Sequence, residues 1–209
     1  MVKSGLAALL CCLALASAHA TWEQENCPEL EADWMEKIDK MLAHLPESYT
    51  TVRPDLMTFG EVILGNTSIR NLRRSLEVNQ SYKTFCSGIG RIIVISMQCR
   101  DECLRAIVPW SFTNVEHSGN VVLFLKRLQL VVHISVTGSE GYNVFNVLTV
   151  VPGQVEVGGV QIDGAASWVN LLIEKLEPLF RGLLELSWRT LVLVHLPGAF
   201  RHAAEQSGL

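Results

Sequence analysis

From Ser167 to Leu196 the chain reads SWVNLLIEKLEPLFRGLLELSWRTLVLVHL. Trp168, Leu172, Leu176, Phe180 and Leu183 recur at spacings of four and three, which is the period of one helical face. Leu171, Leu179, Leu186 and Val192 widen that stripe, so the predicted helix asks for apolar cover over much of its circumference. A helix of that length spans about 45 Å. Pro178 should kink it, Pro197-Gly198 should end it, and Ala199–Leu209 reads as a flexible polar tail.

A second helical pattern occupies residues 22–45. Leu30, Trp34, Ile38, Leu42 and Leu45 line one face, while Glu31, Asp33, Glu36, Lys37 and Lys40 fill the others. Pro28 stands where its first turn would begin and Pro46 where it must stop. After a turn-rich stretch (Pro46, Pro54, Gly60) the pattern becomes extended. Gly88–Gln98 and Leu104–Phe112 read as a hairpin around Arg100-Asp101-Glu102. A long strand over Val121–Val136 then turns at Thr137–Gly141 into Tyr142–Val151, and Pro152-Gly153 turns again into Gln154–Ile162. The fold class is α+β: a long-stranded antiparallel sheet, one long C-terminal helix and an amphipathic N-terminal helix, in a single domain over 21–198.

The first twenty residues are read apart from that domain. Lys3 precedes an apolar run, Leu6–Ala16, and Ser17-Ala18-His19-Ala20 closes it with an A-x-A pattern. This is the form of a secretory signal peptide, with a run too short to span a bilayer. The expected location is therefore secreted and extracellular. The chain carries a net charge of −4 and no basic tract, which argues against a nucleic-acid partner.

Removal of the signal takes Cys11 and Cys12 with it and leaves Cys27, Cys86, Cys99 and Cys103. An even number on an oxidising route points to two disulfides. Of the three possible connectivities, Cys99–Cys103 with Cys27–Cys86 is preferred. A C-x3-C pair with two distant thiols is poor spacing for zinc, so no metal is expected. Sequons at Asn66-Thr67-Ser68 and Asn79-Gln80-Ser81 make Asn66 and Asn79 expected glycosylation sites on the surface.

The order of elements, and three segments within it, resemble a known superfamily. FGEVILGNTSIRNLRRS (Phe59–Ser75), GRIIVISMQ followed by LRAIVPWSF, and IDGAASWVNLLIEKLEPLFRGLL (Ile162–Leu184) are similar to successive elements of the tubular lipid-binding proteins. That group holds the bactericidal/permeability-increasing, takeout and juvenile-hormone-binding proteins, and the resemblance is nearest to the group 7 mite allergens. It implies a highly curved sheet wrapped around the C-terminal helix, enclosing an apolar groove. On that reading the groove is lined by Trp34, Ile38 and Leu42 from the first helix, and by Trp168, Leu172, Leu176 and Phe180 from the last. The sheet adds Ile93, Ile95, Val108, Trp110, Phe124, Val132 and Phe145.

Catalytic patterns are thin. No G-x-S-x-G, H-E-x-x-H, P-loop or dinucleotide fingerprint is present. His133 and His195 interrupt apolar segments and read as core or rim residues, and the pair Lys126-Arg127 reads as a salt-bridged strand position. No enzyme activity and no cofactor are expected. The expected ligand is a lipid or other small hydrophobic molecule, carried or recognised, with contact to a membrane surface or microbial lipid as the wider role. The alternative is a closed relative that acts through its outer surface on a protein or membrane.

Overall fold

The computed structural model describes residues 27–51, 57–80, 82–88, 90–114, 116–139 and 142–209. The expected signal peptide and the start of the expected first helix lie outside the described residues, as does Ser81 of the second sequon. Three very long strands dominate. In chain order the elements are α1 (Trp34–Ala43), β1 (Ser48–Thr50), β2 (Met57–Phe59), β3 (Val62–Leu64), β4 (Ser68–Arg70) and α2 (Leu72–Ser75). Then come β5 (Glu77–Val78), β6 (Lys83–Ser87), β7 (Gly90–Phe112), β8 (Ser118–Ser139), β9 (Tyr142–Asp163) and α3 (Ser167–Ser207).

Strands β7, β8 and β9 hold 23, 22 and 22 residues, against a usual length of about five or six. They form an antiparallel meander, β8 pairing with β7 on one edge and β9 on the other. The other edge of β7 is tiled along its length by β6, β5, β4 and β3 in succession. Among the described residues the result is one large curved nine-stranded antiparallel sheet.

Two turns expected from the sequence lie inside strands. Arg100-Asp101-Glu102 does not turn a hairpin: Arg91–Arg100 and Leu104–Ser111 both pair with β8, and the intervening residues form a bulge. Cys99 and Cys103 are bonded across that bulge, and Asp101 takes φ +50° there. The long partner strand decides the matter, because pairing on both sides of the bulge satisfies more backbone groups than a hairpin would. Pro152-Gly153 likewise lies within β9, with Pro152 opposite Leu130. Among the described residues β9 has no neighbour beyond β8, so Pro152 forfeits no ladder bond on that side.

One face of the meander is the core. Ile93, Ile95 and Met97 of β7 lie opposite Ile134, Val132 and Leu130 of β8, which lie opposite Val147, Val150 and Pro152 of β9. All are buried. Register shifts in β8 let Leu125 and Leu128, three apart, both point inward while Lys126 and Arg127 stay exposed. The C-terminal half of α3 closes this face with Trp188, Val192, Leu196 and Phe200, each fully buried. α1 completes it with Ile38 and Met41. It is shorter than the sequence pattern suggests, since the described residues 27–33 precede it without helical structure.

The segment 199–209 is the clearest correction. It is no flexible tail: α3 continues through Pro197 to Ser207, and Ala199, Phe200 and Ala203 are fully buried. Pro197 removes one helical bond, but the apolar face beyond it stays in register with the sheet. Gly198 serves the same closure, because a Cβ there would overlap the Tyr49 ring of β1.

Covalent and polar ties hold the N-terminal segment. Cys27 is bonded to Cys86 on β6, a separation of 59 residues. Arg91 donates to the Pro28 carbonyl at 2.8 Å, and the Asn143 amide donates to the Glu31 carboxylate at 2.8 Å. Lys37 also bonds Glu31 and holds its carboxyl below the usual range, with the Asn143 amide adding to the effect.

Two outcomes are expected in chemical denaturation. Phe200→Ala should cost about 3–5 kcal/mol, whereas a frayed position would cost under about 0.5. Removing Cys27–Cys86 should cost about 4 kcal/mol by loop closure and removing Cys99–Cys103 about 2, so the order of the two losses is the test.

Candidate functional site

The helix α3 is 41 residues long, but only its C-terminal half is sunk in the core. Where it leaves the core it forms one wall of an apolar groove of ≈ 460 Å³. Leu186, Ser187, Thr190 and Leu191 present that wall, at the spacing of one helical face. Val108 of β7 and Leu123 of β8 form the floor, and Leu64 with the link Gly65-Asn66-Thr67 forms the far wall. The link is fixed by the Gly65 amide donating to the Pro109 carbonyl at 2.7 Å, and by pairing of Leu64 with Trp110.

The polar groups on the α3 wall are already satisfied. Ser187 Oγ donates to the Leu183 carbonyl at 2.9 Å and Thr190 Oγ1 to the Leu186 carbonyl at 3.0 Å. Among the described residues no charged side chain lines the groove. Such a surface selects by apolar burial and shape, with Asn66 and Thr67 as the polar rim.

The structure distributes the expected groove residues widely. Val108 lines the groove. Ile38, Ile93, Ile95 and Val132 are fully enclosed, and Phe145 nearly so, in the closed core. Trp34 and Leu42 pack against that core from α1. Trp110 sits beyond the groove in an aromatic cluster with Phe112 and His117. Phe124 lies under the Arg105 guanidinium, 5.3 Å from ring centre to charge, on the other face of β8 from Leu125. Trp168, Leu172 and Phe180 are exposed along α3, and Leu176 is half-buried beside them. Leu64, Leu123 and Leu191 were not anticipated. The sequence marks the far wall by the sequon at Asn66, which is half-buried on the groove, whereas Asn79 is exposed.

Charged and titratable groups lie elsewhere. Lys126 and Arg127 both meet Glu156 of β9, at 3.2 and 3.6 Å. The Lys126 hydrogen bond holds the Glu156 carboxyl below its usual value, helped by the charges of Lys126, Arg127 and Arg181. His195 is buried and bonded to the Thr51 hydroxyl. Burial, with a hydrogen bond to Asp39, pushes the Tyr82 phenol upward. A wider polar cleft of ≈ 990 Å³ is bordered by His44, Glu47, Arg73, Arg74 and His202, with Arg74 paired to Glu47 at 3.5 Å. Among the described residues there is no cluster of His, Cys, Asp or Glu able to hold a metal, and no helix is long and apolar enough to cross a membrane.

No protein-family model matches the chain, and no curated protein matches it. Among solved structures, its shape is similar to the crystal structure of lipopolysaccharide binding protein, at 14% identity and a TM-score of 0.33. The match covers 79% of this chain and 38% of that one, so the chain spans well under half the length of that protein.

The Glu156 cluster gives a pH test. A carboxyl held below its ordinary value of 4.5 contributes stability that is present above that value and lost as pH falls through the lowered one. Thermal melts should therefore show wild type above Glu156→Gln at neutral pH, with the gap closing as the pH falls below about 4.5.

Proposed function

We propose that the protein is a secreted, non-enzymatic binder of a lipid-like hydrophobic ligand, held in the groove between β3, β7, β8 and the middle of α3. The observation that carries this reading is a groove on which Leu64, Val108, Leu123, Leu186 and Leu191 converge and which, among the described residues, no charged side chain lines. Its volume lies in the range of ordinary small-molecule sites, about 300–1,000 Å³. Transport of a hydrophobic molecule or recognition of microbial lipid are the roles this chemistry suits. The resemblance of Phe59–Ser75 and Ile162–Leu184 to the group 7 mite allergens supports the same reading. So do the leader-like first twenty residues, which set the chain on an extracellular route where Asn66 and Asn79 become glycan acceptors.

A hydrocarbon chain needs no charged anchor here. About ten buried methylenes, at ~0.8 kcal/mol each, contribute on the order of 8 kcal/mol before ordering costs, so micromolar affinity is the ceiling for ten and longer chains bind more tightly. A second reading, action through the outer surface on a protein or membrane, draws on the exposed apolar face of α3.

Titration with a fluorescent long-chain fatty acid tests the groove. Wild type should bind at micromolar concentration. Ser187→Trp, which fills the groove from an exposed helical position, should weaken binding at least about tenfold with an unchanged melting temperature. Equal binding by both proteins would remove the groove as the site. No binding by wild type of fatty acid, phospholipid or terpenoid would remove the function.

A further inference from the structure

The half of α3 that leaves the core carries a second pattern. Leu172, Leu179, Leu186 and Leu193 recur every seven residues. Leu176 and Leu183 fall four after the first two, which completes the alternating three-and-four spacing of a helix–helix seam. An ordinary surface helix keeps its apolar stripe toward its own sheet. Here Leu172, Leu179, Leu183, Leu186 and Leu193 are 47, 76, 62, 59 and 49% exposed. The seam thus points to solvent, away from Trp188 and Val192, which the same helix buries.

We infer that this seam is the contact between two copies of the chain, paired through α3 about a two-fold axis. The period is the first reason. A seven-residue repeat keeps a straight seam facing another helix, whereas a helix cradled by its own sheet has no need of it. Area is the second. At about 120 Å² of apolar surface per leucine, equivalent to ~3 kcal/mol at 25 cal/mol/Å², the exposed fractions with Trp168 give on the order of 500 Å² per copy. The pair then buries roughly 1,000 Å², the lower limit for a specific contact between two proteins. The third is charge. Between Trp168 and Leu193 stand Glu174, Glu177 and Glu185 against Lys175, Arg181 and Arg189. A helix that lies on an anionic lipid surface carries a Lys/Arg-rich polar face, and this balanced set supplies none. A second copy meets the same balanced charges and the same leucines, as a two-fold contact requires.

Leu186 and Thr190 border both the seam and the groove. The pairing itself does not depend on what fills the groove.

Sedimentation of the secreted, deglycosylated full-length protein at about 1 and about 50 µM, concentrations suited to a contact at the lower end of the size range, tests it. Wild type should show twice the chain mass at the higher concentration. The double variant Leu179→Glu, Leu183→Glu should remain a single chain with unchanged circular dichroism, since both side chains point to solvent and neither lines the groove. It should also still bind the fatty-acid probe, which keeps this test apart from that of the groove. A wild type that is monomeric throughout would overturn the proposal. A variant that still dimerises would overturn it as well, by placing the contact elsewhere. A monomeric wild type that floats with neutral phosphatidylcholine vesicles, while the variant does not, would assign the seam to a lipid surface instead.

Discussion

Everything in this molecule hangs on the burial of one half of a long helix against one face of a three-strand meander. Trp188, Val192, Leu196 and Phe200 lie on a surface made by Leu125, Leu128, Leu130, Val132 and their partners on β7 and β9. Those strands are several times the usual length, and each would be a loose ribbon without that apolar cover. The helix in turn has no reason to run past Pro197 except that its buried face continues to Ser207. Because the contact is concentrated at the C-terminal half, the other half projects past the core with its leucines uncovered. The groove lies at the junction of the two halves.

Bulges make this contact possible. A strand of 22 residues with strict alternation would twist its inward residues away from one helix. The shift at Lys126 restarts the alternation in β8, so that Leu125, Leu128, Leu130, Val132 and Ile134 all remain inside, while the shifts opposite Leu128–Leu130 and His133–Ile134 take up extra residues of β9. The pinch of Cys99 to Cys103 holds a corresponding irregularity in β7. Lys126 and Arg127, pushed outward together by their bulge, share Glu156 rather than serving a ligand.

What could be read from the sequence was local. The first thirty residues of α3, the alternation over Ile92–Met97 and the extended character of 121–162 follow from spacing and composition, whereas the four cysteines left three pairings open. The errors share a cause. Arg100-Asp101-Glu102 and Pro152-Gly153 have the residues of turns, and only the presence of an unbroken partner strand, or of a free sheet edge, keeps them extended. Pro197-Gly198 has the residues of a helix stop, and it is overruled by Phe200 and Ala203 on the buried face. The groove was the least legible feature. Its walls come from Leu64–Thr67, Val108, Leu123 and Leu186–Leu191, positions that converge only after the sheet is built. Ile38, Ile93 and Ile95, which share the same apolar character, close the core instead. Composition cannot separate a residue that fills a core from one that lines an opening.

The groove as a lipid site is the central claim, and native mass spectrometry of protein purified from a eukaryotic secretory host tests it most directly. After deglycosylation, the account predicts a mass above that of the chain by a lipid-sized increment, lost on denaturation and recovered by solvent extraction. A clean mass that gains nothing on addition of fatty acids, phospholipid or terpenoids would contradict it.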